Sequence, residues 1–281
     1  MAPTTVTSGP VEPPADHLPR HEIYALKYAE RSARRPEHFL GGDPHDEPMD
    51  MDYFVWAIVG PDATWVVDTG FDTLDAERRS RTLVRSVADA LASVDVAATK
   101  VDDVILTHLH YDHVGGFAQF PAARFHLQDD EMSYATGRHM AQPAIGHAYT
   151  ADHIADLVHL VHGGRVVFHD GDTDLAPGIS VHLVGGHTEG LQVVRVSTAI
   201  GWVVLASDAS HYYENMRSGR PFPIVYHLGD MLEGHRRCFE LASSPEYVVP
   251  GHDPRVFDRY PPARPGLEGI AARLDLEPTP P

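Results

Sequence analysis

Thr107-His108-Leu109-His110-Tyr111-Asp112-His113-Val114-Gly115-Gly116 is the stretch around which the chain is organised. It follows the apolar run Val104-Ile105-Leu106, which reads as a buried strand. Three histidines and a carboxylate fall within six consecutive positions. So short a window cannot wrap four donors around one ion, because neighbouring side chains point in different directions. Two adjacent ions resolve this, with His108 and His110 facing one and Asp112 and His113 the other. Imidazole and carboxylate without thiolate suit zinc first, and also manganese, iron or cobalt.

Around that stretch the composition sets limits. The chain has 281 residues, is 43% hydrophobic and carries a formal net charge of -18. Such an acidic surface without a Lys/Arg cluster argues against nucleic acid or an anionic membrane as partner. Cys238 is the only cysteine, which excludes an intrachain disulfide and a thiolate cage. Lacking a basic start, an apolar signal core or a run of ~20 apolar residues, the chain reads as soluble and cytoplasmic.

Residues 1–20 are rich in proline and read as a flexible tail. Strands are expected at Glu22–Tyr28, Tyr53–Val59, Thr64–Val67, Val104–Leu106 and Arg124–Leu127, with one helix over Leu74–Ala92. Residues 131–164 interrupt the strand pattern with aromatics, methionines and a helix over Asp152–Val161. This insertion suits a lid over an apolar pocket, or equally a homodimer contact. Strands follow at Val166–Phe168, Ile179–Val184, Gln192–Val196, Trp202–Ala206 and Tyr247–Val249, and a helix at Asp230–Ala242. Residues 261–281 form a tail with a short helix over Leu267–Leu274.

Beyond the opening stretch, His187, Asp208 and His252 each follow an apolar strand, and strand ends on one sheet edge converge on one crevice. His108, His110 and His187 then supply one ion, Asp112, His113 and His252 supply the second, and Asp208 bridges both. Asp68, at the mouth of the strand Thr64–Val67, is placed to accept the spare ring N–H of a metal-bound histidine.

This pattern, with Val67-Asp68-Thr69-Gly70, resembles the metallo-β-lactamase superfamily of hydrolases over roughly residues 53–253. The resemblance implies an α+β fold, an αββα four-layer sandwich with a dinuclear site at one edge of the β-sandwich, in a domain spanning residues 21–260. Dinuclear β-lactamases typically carry cysteine where Asp208 stands, and oxygen-reducing di-iron members carry glutamate at the second motif histidine, here His110. Hydrolysis of an ester, thioester, lactone or phosphodiester remains.

Within the superfamily the chain is most similar to the N-acyl-homoserine lactonases, through Asp208-Ala209-Ser210 and Gly251-His252-Asp253. That group places a tyrosine three residues after the bridging aspartate, where this chain has His211, followed by Tyr212 and Tyr213. The similarity implies a lactone or small ester with an apolar group as substrate, opened by a hydroxide that bridges the two divalent metals. His211 or Tyr212 would polarise the carbonyl, and Asp112 would pass a proton to the leaving alkoxide. Tyr149, Met216 and Phe222 are the candidate walls of the substrate pocket. Three alternatives stay open: a glyoxalase-II-like thioesterase, for which Arg217, Arg220 and Arg255 form no compact cluster; a phosphodiesterase, which the net charge disfavours; and an idle metal-binding module.

Overall fold

The strands expected at Tyr53–Val59 and Thr64–Val67 form a hairpin that divides its side chains between two cores, which sets the layering of the described residues. In the computed structural model, which describes residues 11–279, Tyr53, Val55, Ala57 and Val66 face one core while Phe54, Trp56, Ile58, Trp65 and Val67 face the other. Residues 1–10 of the expected tail lie outside the described residues. The strands, in chain order, are β1 (Glu22–Arg31), β2 (Met51–Val59), β3 (Thr64–Val67), β4 (Thr82–Leu83), β5 (Asp103–Ile105), β6 (Arg124–Gln128) and β7 (Val166–His169). They continue with β8 (Thr173–Ala176), β9 (Ile179–Leu183), β10 (Gln192–Thr198), β11 (Gly201–Ser207), β12 (Val248–Pro250) and β13 (Ala271–Arg273).

Two sheets result. The larger has the order β13-β1-β2-β3-β5-β6-β7, with β4 also on β1, and the smaller β12-β11-β10-β9-β8. Strands β3, β5, β6 and β7 run parallel, as do β11 and β12. Inward residues of the larger sheet pack on Val181, Val194, Val196 and Leu205 of the smaller, and helix Leu228–Leu241 lays Cys238 and Phe239 on this second core. Leu91, Ile154 and Leu157 bring helices Val87–Ala92 and Ala151–His162 onto the larger sheet's other side. Helices thus cover both outer faces of two packed sheets, the α+β four-layer arrangement that the resemblance implies. Among the described residues no helix is long and apolar enough to cross a membrane.

Three segments differ from the sequence reading. The helix expected over Leu74–Ala92 is two helices, Thr73–Arg79 and Val87–Ala92, separated by β4. Ser80 adopts φ 53° and closes the first of them, and Ser86 caps the second through Asp89 N–H. Leu74, counted on the apolar stripe, is in fact 49% exposed, so the apparent period was fortuitous. The expected C-terminal helix is instead β13, whose Ala271 and Ala272 pair with Leu26 and Ala25 of β1. At the other end, Arg20 is tied to Ser197 Oγ at 2.8 Å, so the final residues of the expected tail are held against β10.

Strand β13 covers what would otherwise be an open edge at β1, and Leu274 beyond it is fully buried. Deleting residues 261–281 is expected to cost ~3 kcal/mol or more in urea unfolding and to promote aggregation through the exposed strand. Unchanged stability would show that this segment merely lies on the surface.

Candidate metal centre

The carboxyl ends of β3, β5, β11 and β12 open at the same edge of the sandwich, and the chain leaves each through a polar residue. Asp68 follows β3, Thr107-His108 follow β5, Asp208 follows β11 and His252 follows β12. His110 is the N-cap of the short helix Tyr111–Val114, which carries Asp112 and His113. His187 sits on the loop after β9, where Gly186 has φ 87° and its missing Cβ lets the Met231 backbone approach.

The donors fall into two sets. His108, His110 and His187 converge as one, and Asp112, His113 and His252 as another, each with its nitrogen or oxygen atoms within 4.8 Å of one another. Asp208 stands between them. Its Oδ2 is 3.4 Å from His187 Nε2 and 3.9 Å from His108 Nε2, whereas Oδ1 is 3.1 Å from His252 Nε2 and 3.5 Å from His113 Nε2. Metal–ligand bonds of ~2.1 Å in tetrahedral geometry put neighbouring donors roughly 3.4 Å apart, so this spacing fits first-row divalent ions.

The remaining ring nitrogens are fixed from behind. His113 Nδ1 donates to Asp68 Oδ2 at 2.7 Å, His187 Nδ1 to the Ile224 carbonyl at 2.7 Å and His252 Nδ1 to the Asp52 carbonyl at 2.9 Å. Each Nε2 lone pair is thereby aimed inward. His108 Nε2, His113 Nε2, His187 Nε2 and Asp208 Oδ1 are buried without a hydrogen-bond partner among the described residues. Four such atoms turned to one space are costly unless a cation satisfies them, so the donor set fits a metal.

The charges agree. Burial, reinforced by neighbouring histidines, holds His108 and His110 well below the usual histidine range, leaving neutral rings. For His113 burial acts in the same direction, but the carboxylates of Asp68, Asp112 and Asp208 outweigh it and push it up. Burial opposes the charge on Asp208 too, yet the surrounding histidines hold its carboxyl well below the ordinary carboxylate value.

A hydroxyl chain joins the two sheets beneath the cluster. Asp68 accepts from Thr107 N–H at 2.8 Å and from the Thr107 hydroxyl at 2.9 Å, and Thr107 Oγ1 lies 2.9 Å from Ser207 Oγ. Asp68 and Ser207 have φ of 64° and 44°, a left-handed backbone seldom adopted by residues with side chains.

Glu131 was not singled out in the sequence, yet it is fully buried. It accepts from Leu109 N–H at 2.9 Å, the Thr188 hydroxyl at 2.6 Å, Gly190 N–H at 3.1 Å and the Tyr149 hydroxyl at 3.2 Å. Leu109 stands between His108 and His110, and Thr188 follows His187, so this carboxylate staples together the two loops of the first donor set. A Cβ on Gly190 would come within 2.1 Å of Glu131 N, which makes glycine necessary there. Nothing in the acidic run Asp129-Asp130-Glu131 distinguishes the third carboxylate from a solvated one.

The candidate substrate contacts divide. Phe222 lines the cavity over the donors and stacks on His211, ring centroids 3.4 Å apart. His211 also lines it, but its Nε2 is 3.0 Å from Asp208 Oδ2, and burial pushes its pKa down to about 3. A neutral ring donating from Nε2 leaves Nδ1 as an acceptor, so His211 is not set up to donate to a substrate carbonyl. Tyr212 points elsewhere: its hydroxyl is bound to His38 Nε2 and to the Asp50 carbonyl, both at 3.1 Å. Met216 is packed in the second core beneath the helix Tyr213–Ser218, not in the cavity. Tyr149 backs the site without lining it, its ring edge-to-face with that of His110 at a centroid distance of 4.6 Å.

The insertion 131–164 contributes His147 and Ala148 to the cavity. Arg79 donates to the His147 carbonyl at 2.7 Å, while the Thr150 hydroxyl donates to Asp75 at 3.0 Å, so this wall is fastened to helix Thr73–Arg79. The cavity, about 130 Å³, is also more basic than expected, with Arg31, Arg79 and Arg81 in its wall.

A family model described as the metallo-beta-lactamase superfamily matches residues 50–252, and the chain belongs to that superfamily of divalent-metal hydrolases. A probable metallo-hydrolase of Mycobacterium tuberculosis is 26% identical over 236 residues, covering 70% of this chain and 73% of that protein. An N-acyl homoserine lactonase of Bacillus thuringiensis is 31% identical over 120 residues, 42% of each chain, so the match spans less than half of that enzyme. Among solved structures, a quorum-quenching N-acyl homoserine lactone lactonase superposes with TM-score 0.69 at 21% identity, over 85% of this chain and 94% of that one, which shows a shared fold.

Glu131→Gln turns an amide N–H toward groups that need acceptors. We expect metal affinity to fall ~10-fold or more in a chelator competition, since partners that hold ligand loops commonly carry such effects. Tyr212→Phe, in contrast, is expected to change kcat/KM on any hydrolysed substrate by less than about 2-fold and to act on melting temperature instead.

Proposed function

We propose that the protein is a dinuclear metal-dependent hydrolase of small carboxylic esters, with a lactone as the preferred substrate form. The observation that carries the reading is the division of the two Asp208 oxygens between two three-donor sets. His108, His110 and His187 would hold one ion, Asp112, His113 and His252 the other, and Asp208 both, with zinc the first choice for a thiolate-free N/O set. When bound, the ions supply Lewis acidity and lower the pKa of a coordinated water toward ~7.

The chain's own residues do the rest. Phe222 and the stacked His211 form a flat wall against which a ring or acyl plane lies. The His211 N–H at Asp208 Oδ2 fixes the carboxylate's rotation, keeping one oxygen on each donor set. Asp112 lines the cavity, its Oδ2 3.7 Å from His113 Nε2 and 3.8 Å from His252 Nε2, and would carry the proton to the departing alkoxide oxygen. Neither His211 nor Tyr212 serves as carbonyl donor here, because His211 N–H is committed to Asp208 and the Tyr212 hydroxyl to the Asp50 carbonyl. A lactonase reading is supported by the family and by a solved N-acyl homoserine lactone hydrolase of the same fold, at TM-score 0.67, which has the product N-hexanoyl-L-homoserine bound at its catalytic metal centre.

Elemental analysis of unchelated protein is expected to give two transition-metal equivalents, with hydrolysis of lactones ahead of S-lactoylglutathione and bis-p-nitrophenyl phosphate. Asp208→Ala should lose one equivalent and nearly all turnover, and chelation should lower the melting temperature through lost ligand linkage. Intact lactones beside a cleaved thioester would replace the reading, and two equivalents retained by an active Asp208→Ala would reject the bridge.

A further inference from the structure

The cavity wall outside the donor cluster is basic in a protein whose net charge is -18. Three guanidiniums, Arg31, Arg79 and Arg81, face a single carboxylate there, that of Glu37. They are not equivalent. Arg31 is neutralised by Glu37 itself. Arg79 is 3.5 Å from Asp75, lies 3.9 Å over the Tyr111 ring and spends Nη1 and Nη2 on the insertion. Arg81 donates from Nε to the Tyr111 hydroxyl at 3.1 Å and from Nη1 to the Arg79 carbonyl at 2.6 Å. Among the described residues it has no ion-pair partner, and its Nη2 has no acceptor.

Its position is well held. The Tyr111 hydroxyl that accepts from Arg81 lies 3.4 Å from the Tyr53 hydroxyl, and the Tyr53 ring stands edge-on to His252 at 5.0 Å. Tyr111 directly precedes Asp112. The guanidinium is therefore braced beside the second donor set, half-buried, with one face of its fork toward the cavity. A pre-oriented guanidinium without a counter-charge in a partly desolvated wall, with Nη2 uncommitted, is a carboxylate receptor through a charge-assisted hydrogen bond. A pocket built only for an acyl chain would gain nothing from a guanidinium without a counter-charge at its rim.

We infer that the substrate carries a free carboxylate close to the ester bond that is cleaved, and that Arg81 grips it. The inference rests on the hydrolase reading of the same site. The reaction remains a hydrolysis: water adds across the acyl C–O bond, its oxygen joining the carbonyl carbon and a proton passing to the alkoxide, while the second carboxylate is unchanged.

The test uses metal-loaded protein of residues 1–281 and one matched pair, γ-butyrolactone and its γ-carboxylate, with their ring-opened acids γ-hydroxybutyrate and α-hydroxyglutarate. Wild type is expected to favour the carboxylated lactone in kcat/KM, and α-hydroxyglutarate over γ-hydroxybutyrate in calorimetric Kd, by ~10-fold or more. In Arg81→Met both ratios should collapse to within about 2-fold, and Arg81→Lys should restore part of them. A merely structural Arg81 would lower both members of each pair together and leave the ratios unchanged, which would overturn the inference, as would equal affinities in wild type. Cleavage of p-nitrophenyl phosphate with a stronger Arg81 dependence than the carboxylated lactone would overturn the choice of carboxylate. If neither lactone is opened while the Arg81-dependent preference between the two acids persists, the lactonase reading falls and the carboxylate grip stands.

Discussion

Everything in this molecule that bears on chemistry depends on a single buried carboxylate with its two oxygens turned to different neighbours. Asp208 is almost wholly removed from water, where an ionised group is costly unless compensated. Its compensation comes from rings at both oxygens, with His211 donating to one of them. Because the rings are themselves tied at Nδ1 to carbonyls and to Asp68, the carboxylate cannot turn without breaking several bonds. A rigid scaffold is what any cation held among these donors would require, and the double sheet supplies it.

The fold delivers this arrangement by ending strands from both sheets at one edge. Asp68 and Thr107 come from the larger sheet, and Ser207 with Asp208 from the smaller, and their hydroxyl and carboxylate groups meet in one chain. Gln192 adds a second link, its side chain donating to the Leu106 carbonyl at 2.8 Å and its backbone N–H to that of Thr107 at 3.0 Å. Displacement of one sheet against the other would therefore be felt directly at the donors. Glu131 performs the same service laterally, joining the loop after β5 to the loop after β9.

What was legible in the sequence was the part of the site compressed into local order. His108 to His113 announce themselves by spacing, and His187, Asp208 and His252 by following apolar strands; all seven residues meet in one cluster. Most strands were readable from alternation. The helix over Leu74–Ala92 was misread because a stripe of leucines and valines fits a helical period whether or not Ser80 turns the chain between them. Strand β13 was hidden because three residues of Ala-Ala-Arg have no β-signature, and only the open edge of β1 makes them a strand. Tyr212 is suggested by its place just after Asp208 and Met216 by its apolar character, yet a few residues suffice for a side chain to point away from the cavity. Glu131 and Arg81 could not be found at all, since their roles come from partners far away in the chain.

The left-handed backbone at Asp68 and Ser207 has an evolutionary consequence. Each such residue stores ~1 kcal/mol or more that glycine would release. Glycine at either position would also delete a member of the chain linking the two sheets beneath the donors. Losing those buried partners of Thr107 costs more than the strain released, so stability and chemistry pull the same way at these two positions, and a lineage keeps the strained backbone because it keeps the floor on which its chemistry stands.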